Sequence, residues 1–237
     1  MARILFVLSS ASALHLSDGR DIATGFWAQE FIPPFEAFRQ AGHKVDIATP
    51  EGRPAVLDAL CLAPEFHQDD PGRPARLQAA LAALPDWQAP LAATAVNAED
   101  YAAIFFPGGH GPVVDLAGDA AVGRLVAAIH GAGGLIGAIC HGPAGLLPAR
   151  AAGRWPFAGY RMTCFSPEEE REAGLAERLP WLLAERLAAL GGQLTFAPPG
   201  QAHVVVDRRL ITGQNPASAP GLAQAMLNAL TTRGAGL

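Results

Sequence analysis

Lysine is nearly missing from this chain of 237 residues: Lys44 is the only one, and arginine carries the rest of the positive charge. That removes most lysine chemistry, including Schiff-base enzymes and a GxxxxGK[ST] phosphate loop. Lys44 itself stands between Gly42-His43 and a strand-like run, in what reads as a helix-to-strand turn. Basic runs are absent and the net charge at pH 7 is −5, so the electrostatic footprint of a nucleic-acid binder is lacking. No uninterrupted apolar run approaches the about 18 residues a spanning helix needs. Cysteine is sparse and odd in number, with Cys61, Cys140 and Cys164 and no CxxC, which argues against a disulfide framework or a zinc knuckle.

What is present is a globular composition, 50% hydrophobic and 16% charged, which excludes disordered and fibrous classes. Met1–Leu16 superficially resembles a signal peptide. Its apolar core, Ile4–Leu8, is shorter than the roughly 7–15 residues such a segment requires. A buried first strand and a cytoplasmic location are expected instead.

Arg3–Ser10 reads as that strand. Pro33-Pro34 fits the first turn of a helix closed by Gly42, because proline lacks only a donor that is unpaired there. Val45–Thr49 is a second strand. Arg53–Asp100, rich in Ala, Pro and Asp, reads as a decorated insertion within a single domain spanning 1–237, with a helix over Pro74–Leu84. Strands follow at Tyr101–Phe106 and Gly133–Ile139, with a helix over Asp119–His130 between them. Tyr160–Phe165 is strand-like, Pro167–Leu190 mostly helical, Gln193–Ala197 and Val204–Gly213 are strand regions, and Ala217–Leu230 is the last helix. Apolar strands alternating with helices predict an α/β fold: a three-layer sandwich with a mostly parallel sheet covered on both faces. Sites in such folds lie beyond the carboxyl ends of the strands.

Cys140 directly follows one of those strands, and His141-Gly142-Pro143 then reads as opening a helix. This is the layout of a nucleophile elbow with Cys in place of Ser. A helix N-terminus beneath the sulfur would stabilise a thiolate and lower its pKa. Cys61, in the insertion, and Cys164, inside a strand, read as small core residues. Gly108 and Gly109 end the neighbouring strand, where the backbone can turn its N–H groups inward; with the His141 N–H, that of Gly109 would form an oxyanion hole. His110 follows and is assigned with them to substrate binding. His141 is a candidate base needing a carboxylate to orient it. Glu168, Glu169 and Glu170 supply carboxylates after the next strand, although three acids there also suit a helix N-terminus. Glu30, placed before the Pro33 helix among Phe26, Trp27, Phe31 and Ile32, is a carboxyl whose pKa burial would raise.

Three stretches carry a family resemblance: Gly25–Gly42 (GFWAQEFIPPFEAFRQAG), Phe106–Cys140 with its PGGHG and the start of AICHGP, and Phe165–Glu170 followed later by Ile211–Ser218 (ITGQNPAS). Together they resemble the PfpI/ThiJ superfamily, with its class I glutamine-amidotransferase-like fold, and most of all its chaperone and glutathione-independent glyoxalase III branch. The resemblance implies Cys140 as nucleophile, Glu30 as its paired acid, His141 as the triad histidine and Glu170 as the third triad member. It also implies a homodimer. The late His-x-Glu of true glutamine amidotransferases has no counterpart at Gly213-Gln214-Asn215-Pro216. Some relatives bind zinc, but His67 and Glu65 of the insertion lack metal-ligand spacing, so no metal is assigned.

The expected activity is conversion of methylglyoxal, or a similar 2-oxoaldehyde, to a 2-hydroxy acid without glutathione and without a cofactor. Two alternatives stand beside it. One is hydratase or deglycase action on another small electrophile. The other is a holding chaperone, with Leu57, Leu60, Leu62, Phe66 and Trp87 of the insertion as an apolar patch.

Overall fold

A computed structural model describes residues 1–234. The strands are β1 (Arg3–Val7), β2 (Ala13–His15), β3 (Asp21–Ala23), β4 (Lys44–Thr49), β5 (Leu91–Ala92), β6 (Ala103–Phe106), β7 (Leu135–Ile139), β8 (Arg161–Met162), β9 (Gln193–Leu194), β10 (Val204–Asp207) and β11 (Leu210–Gly213). The helices are α1 (Ala28–Gln40), α2 (Arg73–Ala82), α3 (Gly111–Asp115), α4 (Ala120–Gly131), α5 (Pro167–Glu172), α6 (Leu183–Ala189) and α7 (Ala219–Gly234).

Seven strands form one sheet in the order β10-β11-β7-β6-β1-β4-β5. Every pairing is parallel except β10 with β11. The alternation of side chains along each strand divides the core in two. Ile4 and Phe6 of β1 and Phe105 of β6 point toward α1 and α7, and Leu5, Val7, Ile104 and Phe106 point toward α4 and α6. Helices therefore cover both faces, as the all-apolar central strands require. The strand order reverses between β1 and β6, and the loops after β6 and β7 open on the crevice that such a reversal creates.

α1 differs from expectation. It begins at Ala28, so Pro33 and Pro34 lie inside it rather than at its first turn. Two backbone donors are lost there. The loss is offset by packing: Phe31, Phe35 and Phe38 all pack on Phe6, with ring centroids 5.8–5.9 Å away. The early start puts Glu30 in the first helical turn, not ahead of the helix.

Other boundaries shift by smaller amounts. Asp119 caps α4 by accepting from the Val122 N–H at 2.8 Å. β8 keeps only two residues of the strand expected at Tyr160–Phe165, so Cys164 lies in the following loop. The helical region expected over Pro167–Leu190 is two short helices, α5 and α6, with turns between them. The insertion contributes α2, several 3-10 turns and the edge strand β5. Leu57, Leu62 and Trp87 pack partly buried against the α1 side of the core, and Leu60 and Phe66 are exposed. Among the described residues, no helix is long and apolar enough to cross a membrane.

Candidate active site

The turn after β7 forces Cys140 to φ 59°, a conformation rarely adopted by a residue with a side chain. Both of its peptide groups are pinned: its N–H donates to the Gly213 carbonyl at 2.9 Å, and its carbonyl accepts from the Phe165 N–H at 2.9 Å. A strained backbone held by β11 on one side and the β8–α5 loop on the other fixes where the sulfur points. Gly142–Leu146 after it is a 3-10 turn rather than an α-helix, so the helix-dipole stabilisation expected for a thiolate is not supplied.

Two glycines let the β6 loop approach this turn. A Cβ on Gly108 would lie 2.6 Å from both the Cys140 Cβ and a Glu30 carboxyl oxygen. Gly109 sits at φ 84°, and a Cβ there would meet the Gly25 carbonyl at 2.3 Å. This close approach brings Glu30 to the sulfur. The carboxyl is fully buried; Oε2 accepts from the Gly108 N–H at 2.8 Å, and Oε1 has no conventional hydrogen-bond partner. The Cys140 thiol is the side chain with which the carboxyl interacts. Burial pushes Glu30 up to about 8, against smaller opposing effects from Cys140 and the Gly108 N–H. Burial also pushes the Cys140 thiol up, and an ionised Glu30 adds to that, while the Gly109 N–H works the other way. The thiol is thus raised where the sequence predicted it lowered. With Glu30 protonated, the like-charge contribution vanishes and its O–H is free to donate to sulfur.

His141 lies on the other side. Its Nδ1 is 3.3 Å from the Cys140 sulfur and its Nε2 is 2.6 Å from Glu170 Oε1. Burial lowers the His141 pKa, helped by His110 and opposed by Glu170, which favours neutral imidazole. Burial pushes Glu170 up, yet His141 and His110 outweigh it and hold the carboxyl below its usual range. With Glu170 ionised, Nε2 of His141 carries the proton and Nδ1 faces the thiol as an acceptor.

His110 is oriented differently from its assignment beside the oxyanion glycines. Its Nε2 meets Glu170 Oε2 at 3.1 Å, and its ring stacks on His141 with centroids 4.0 Å apart. One carboxylate thus bridges two imidazoles, with Phe165 against His141 at 4.9 Å. His110, His141 and Glu170 are also the described residues whose donor atoms are close enough to hold a metal ion, all lying within 4.8 Å of one another. The imidazole–carboxylate hydrogen bonds account for that clustering without one. His67 is buried, with Nε2 at 2.8 Å from the Cys61 carbonyl, and Glu65 is exposed, so these two form no ligand pair.

The remaining cysteines have no such company. Burial drives Cys61 up to about 12 and raises Cys164 strongly. The sequence reading placed Glu169 among the acids suited to a helix N-terminus; it is indeed in the first turn of α5, but it is buried beside Glu170, and Gln214 and Asn215, which were given no role, bond to it. Their partners lie more than 40 residues away in sequence, where no local pattern reaches.

The chain has relatives in sequence and in shape. The glutathione-independent glyoxalase HSP31 of Saccharomyces cerevisiae is 30% identical over 240 residues, covering 96% of this chain and 98% of that protein. The protein/nucleic acid deglycase HchA of Pseudomonas aeruginosa (strain UCBPP-PA14) is 29% identical, covering 94% of this chain and 78% of the relative. The crystal structure of glyoxalase III from Candida albicans shares the fold, with a TM-score of 0.82 over 96% of this chain and 97% of that one at 23% identity. The DJ-1/PfpI family model matches residues 22–229, and the chain belongs to the DJ-1/PfpI family.

Proposed function

We propose that this protein is a cysteine-dependent, glutathione-independent glyoxalase that converts a small 2-oxoaldehyde such as methylglyoxal to the 2-hydroxy acid. The observation that carries the reading is the pairing around one sulfur. A buried carboxyl favouring its protonated form lies on one side of Cys140 and a neutral imidazole acceptor on the other. The reaction needs both an acid and a base, because a proton must leave one carbon and another must arrive at its neighbour.

Cys140 gives its proton to His141 Nδ1, and its sulfur bonds to the aldehyde carbon to form a hemithioacetal. The oxyanion lies against the Gly109 and His141 backbone N–H groups. Protonated Glu30 gives its proton to the hemithioacetal oxygen and, now ionised, takes the carbon-bound proton while His141 returns its proton to the ketone oxygen, giving an enediol; Glu30 then protonates the adjacent carbon and recovers the proton of the C1 hydroxyl, which yields a thioester of the 2-hydroxy acid. Water attacks the thioester, the hydroxy acid leaves, and the thiol is restored. One carbon is oxidised as its neighbour is reduced, so the step needs no external electron acceptor. Overall one water is added to methylglyoxal to give lactate, the reverse of a water elimination, and on that net balance we assign the enzyme to the lyase class, as a hydro-lyase.

Purified protein with reduced Cys140 is expected to form lactate from methylglyoxal with no glutathione added and with one enantiomer in excess. No lactate above the buffer rate would overturn the reading. The naming of one relative as a deglycase favours a second use of the same sulfur, attack on a carbonyl adduct of an amine or thiol. Release of the free amine from a methylglyoxal hemiaminal faster than its spontaneous decay would support that use. Three buried free cysteines support the cytoplasmic setting. The homodimer implied by the family is part of the same proposal, and sedimentation showing only monomer at micromolar concentration would remove it.

A further inference from the structure

Glu169 is a buried carboxylate that the reaction above does not use. It sits at the third position of α5, one residue before Glu170. Five donors converge on it. Oε2 accepts from the Ser166 N–H at 3.0 Å, the Ser166 hydroxyl at 2.8 Å and Gln214 Nε2 at 3.0 Å. Oε1 accepts from Asn215 Nδ2 at 2.8 Å and the Gly200 N–H at 3.1 Å. Those donors come from the start of α5, from the loop after β9 and from the turn after β11. All are neutral, and no ion pair reaches Glu169 among the described residues. Gln214 is itself tied to Ala197, donating to its carbonyl at 3.1 Å and accepting from its N–H at 2.9 Å. α5 has only six residues, too few to fix its own orientation by an apolar stripe.

We propose that Glu169 is a positioning residue: anchored by neutral donors from three chain segments, it sets the place at which Glu170 meets His141 and supplies a fixed negative charge beneath the site. Being matched by dipoles rather than by a cation, that charge is felt by its surroundings instead of being neutralised. It acts in the same direction on Glu30, Cys140 and His141, favouring the protonated form of each. The other titratable groups around the sulfur are Glu30 from α1, His141 beside it, Glu170 from α5, and His110 after β6. Asp58 and Cys61 stand behind them in the insertion, within the electrostatic reach of His110 and Glu30.

Glu169→Gln removes the charge and turns a donor toward the converging donors. Glu168→Gln is the control, removing the same charge from an exposed neighbour on the same helix. Asn215→Ala keeps the charge and removes one tether. The turnover readout rests on the glyoxalase reading, whereas alkylation of Cys140 by iodoacetamide needs no substrate and separates the two failures. Loss of a like charge near a thiol lowers the pH at which it ionises. The midpoint of Cys140 alkylation should therefore move to lower pH in Glu169→Gln and stay in place in Glu168→Gln and Asn215→Ala. Turnover in Asn215→Ala should fall several-fold in kcat at unchanged KM. An unmoved midpoint in Glu169→Gln overturns the electrostatic role. Wild-type kcat in Asn215→Ala overturns the positioning role, and that measurement decides the matter alone if Glu169→Gln does not fold.

Discussion

At the scale of single residues, the chemistry turns on Glu30 and Cys140. Glu30→Gln keeps a hydrogen-bond donor near the sulfur but cannot cycle a proton. Turnover is expected to fall by about 10²–10⁴, the usual cost of losing a general base, while Cys140 stays alkylatable; near wild-type turnover would mean that His141 moves the proton alone. The same carboxyl affects stability. Its pKa is about 8 in the folded protein against an ordinary 4.5, so the folded state binds more protons between those values. Stability from this group is fully present below about 4.5 and is lost as pH rises through about 8. The loss is up to about 5 kcal/mol, at about 1.4 kcal/mol for each pH unit separating the two values. Thermal melts of Glu30→Gln and wild type should accordingly diverge from pH 5 to pH 9, with the variant gaining relative stability. A constant difference would show that Glu30 does not change protonation on folding. Peptide mapping after brief alkylation of native protein should find Cys140 labelled well ahead of Cys61 and Cys164: burial raises all three thiols, but Cys140 faces the His141 Nδ1 acceptor at 3.3 Å and keeps 5% exposure against none for the other two. Dominant labelling at either would contradict the assignment. Cys140 was readable because an apolar strand followed by Cys-His-Gly-Pro is a local pattern. Its thiol was misjudged because burial and the closeness of Glu30, far upstream in the chain, are products of the fold.

At the scale of elements, α1 and α5 hold the chemistry. α1 carries Glu30 and is fixed to the sheet by Phe31, Phe35 and Phe38 on Phe6. Phe6→Ala should cost about 3–5 kcal/mol in chemical denaturation, as a large buried ring leaves a cavity; a loss under about 1 kcal/mol would mean that the cluster collapses to refill the space. Two prolines in a row read as a helix start, and the sequence placed the start of α1 there. Aromatic packing on the sheet overrode that local signal. α5 is anchored by its capping box, in which Ser166 and Glu169 satisfy each other's backbone N–H groups. Ser166→Ala removes the cap, worth about 1 kcal/mol, and should lower turnover more than stability because Glu170 rides on this helix. Equal loss of turnover and of folded fraction would reduce the cap to a stability device. The pairs β2–β3 and β8–β9 and the edge strand β5 are two or three residues per strand, too short to leave a periodic signal.

At the scale of the whole molecule, the parallel sheet gathers residues from distant parts of the chain at one edge. Gly108 and Cys140 follow β6 and β7 on the side of the reversal between β1 and β6, and the starts of α1 and α5 bring Glu30 and Glu170 to them. The layered α/β architecture was legible because every central strand is apolar throughout. The insertion was not, since Ala- and Pro-rich 3-10 turns carry no period. In the proposed reaction one sulfur does glutathione's work inside the protein. The most direct measurement is lactate production from methylglyoxal, without glutathione, by wild type and by Cys140→Ala at matched folded concentration. Lactate from the wild type and only the buffer rate from Cys140→Ala is the predicted result; equal lactate from both proteins would contradict it.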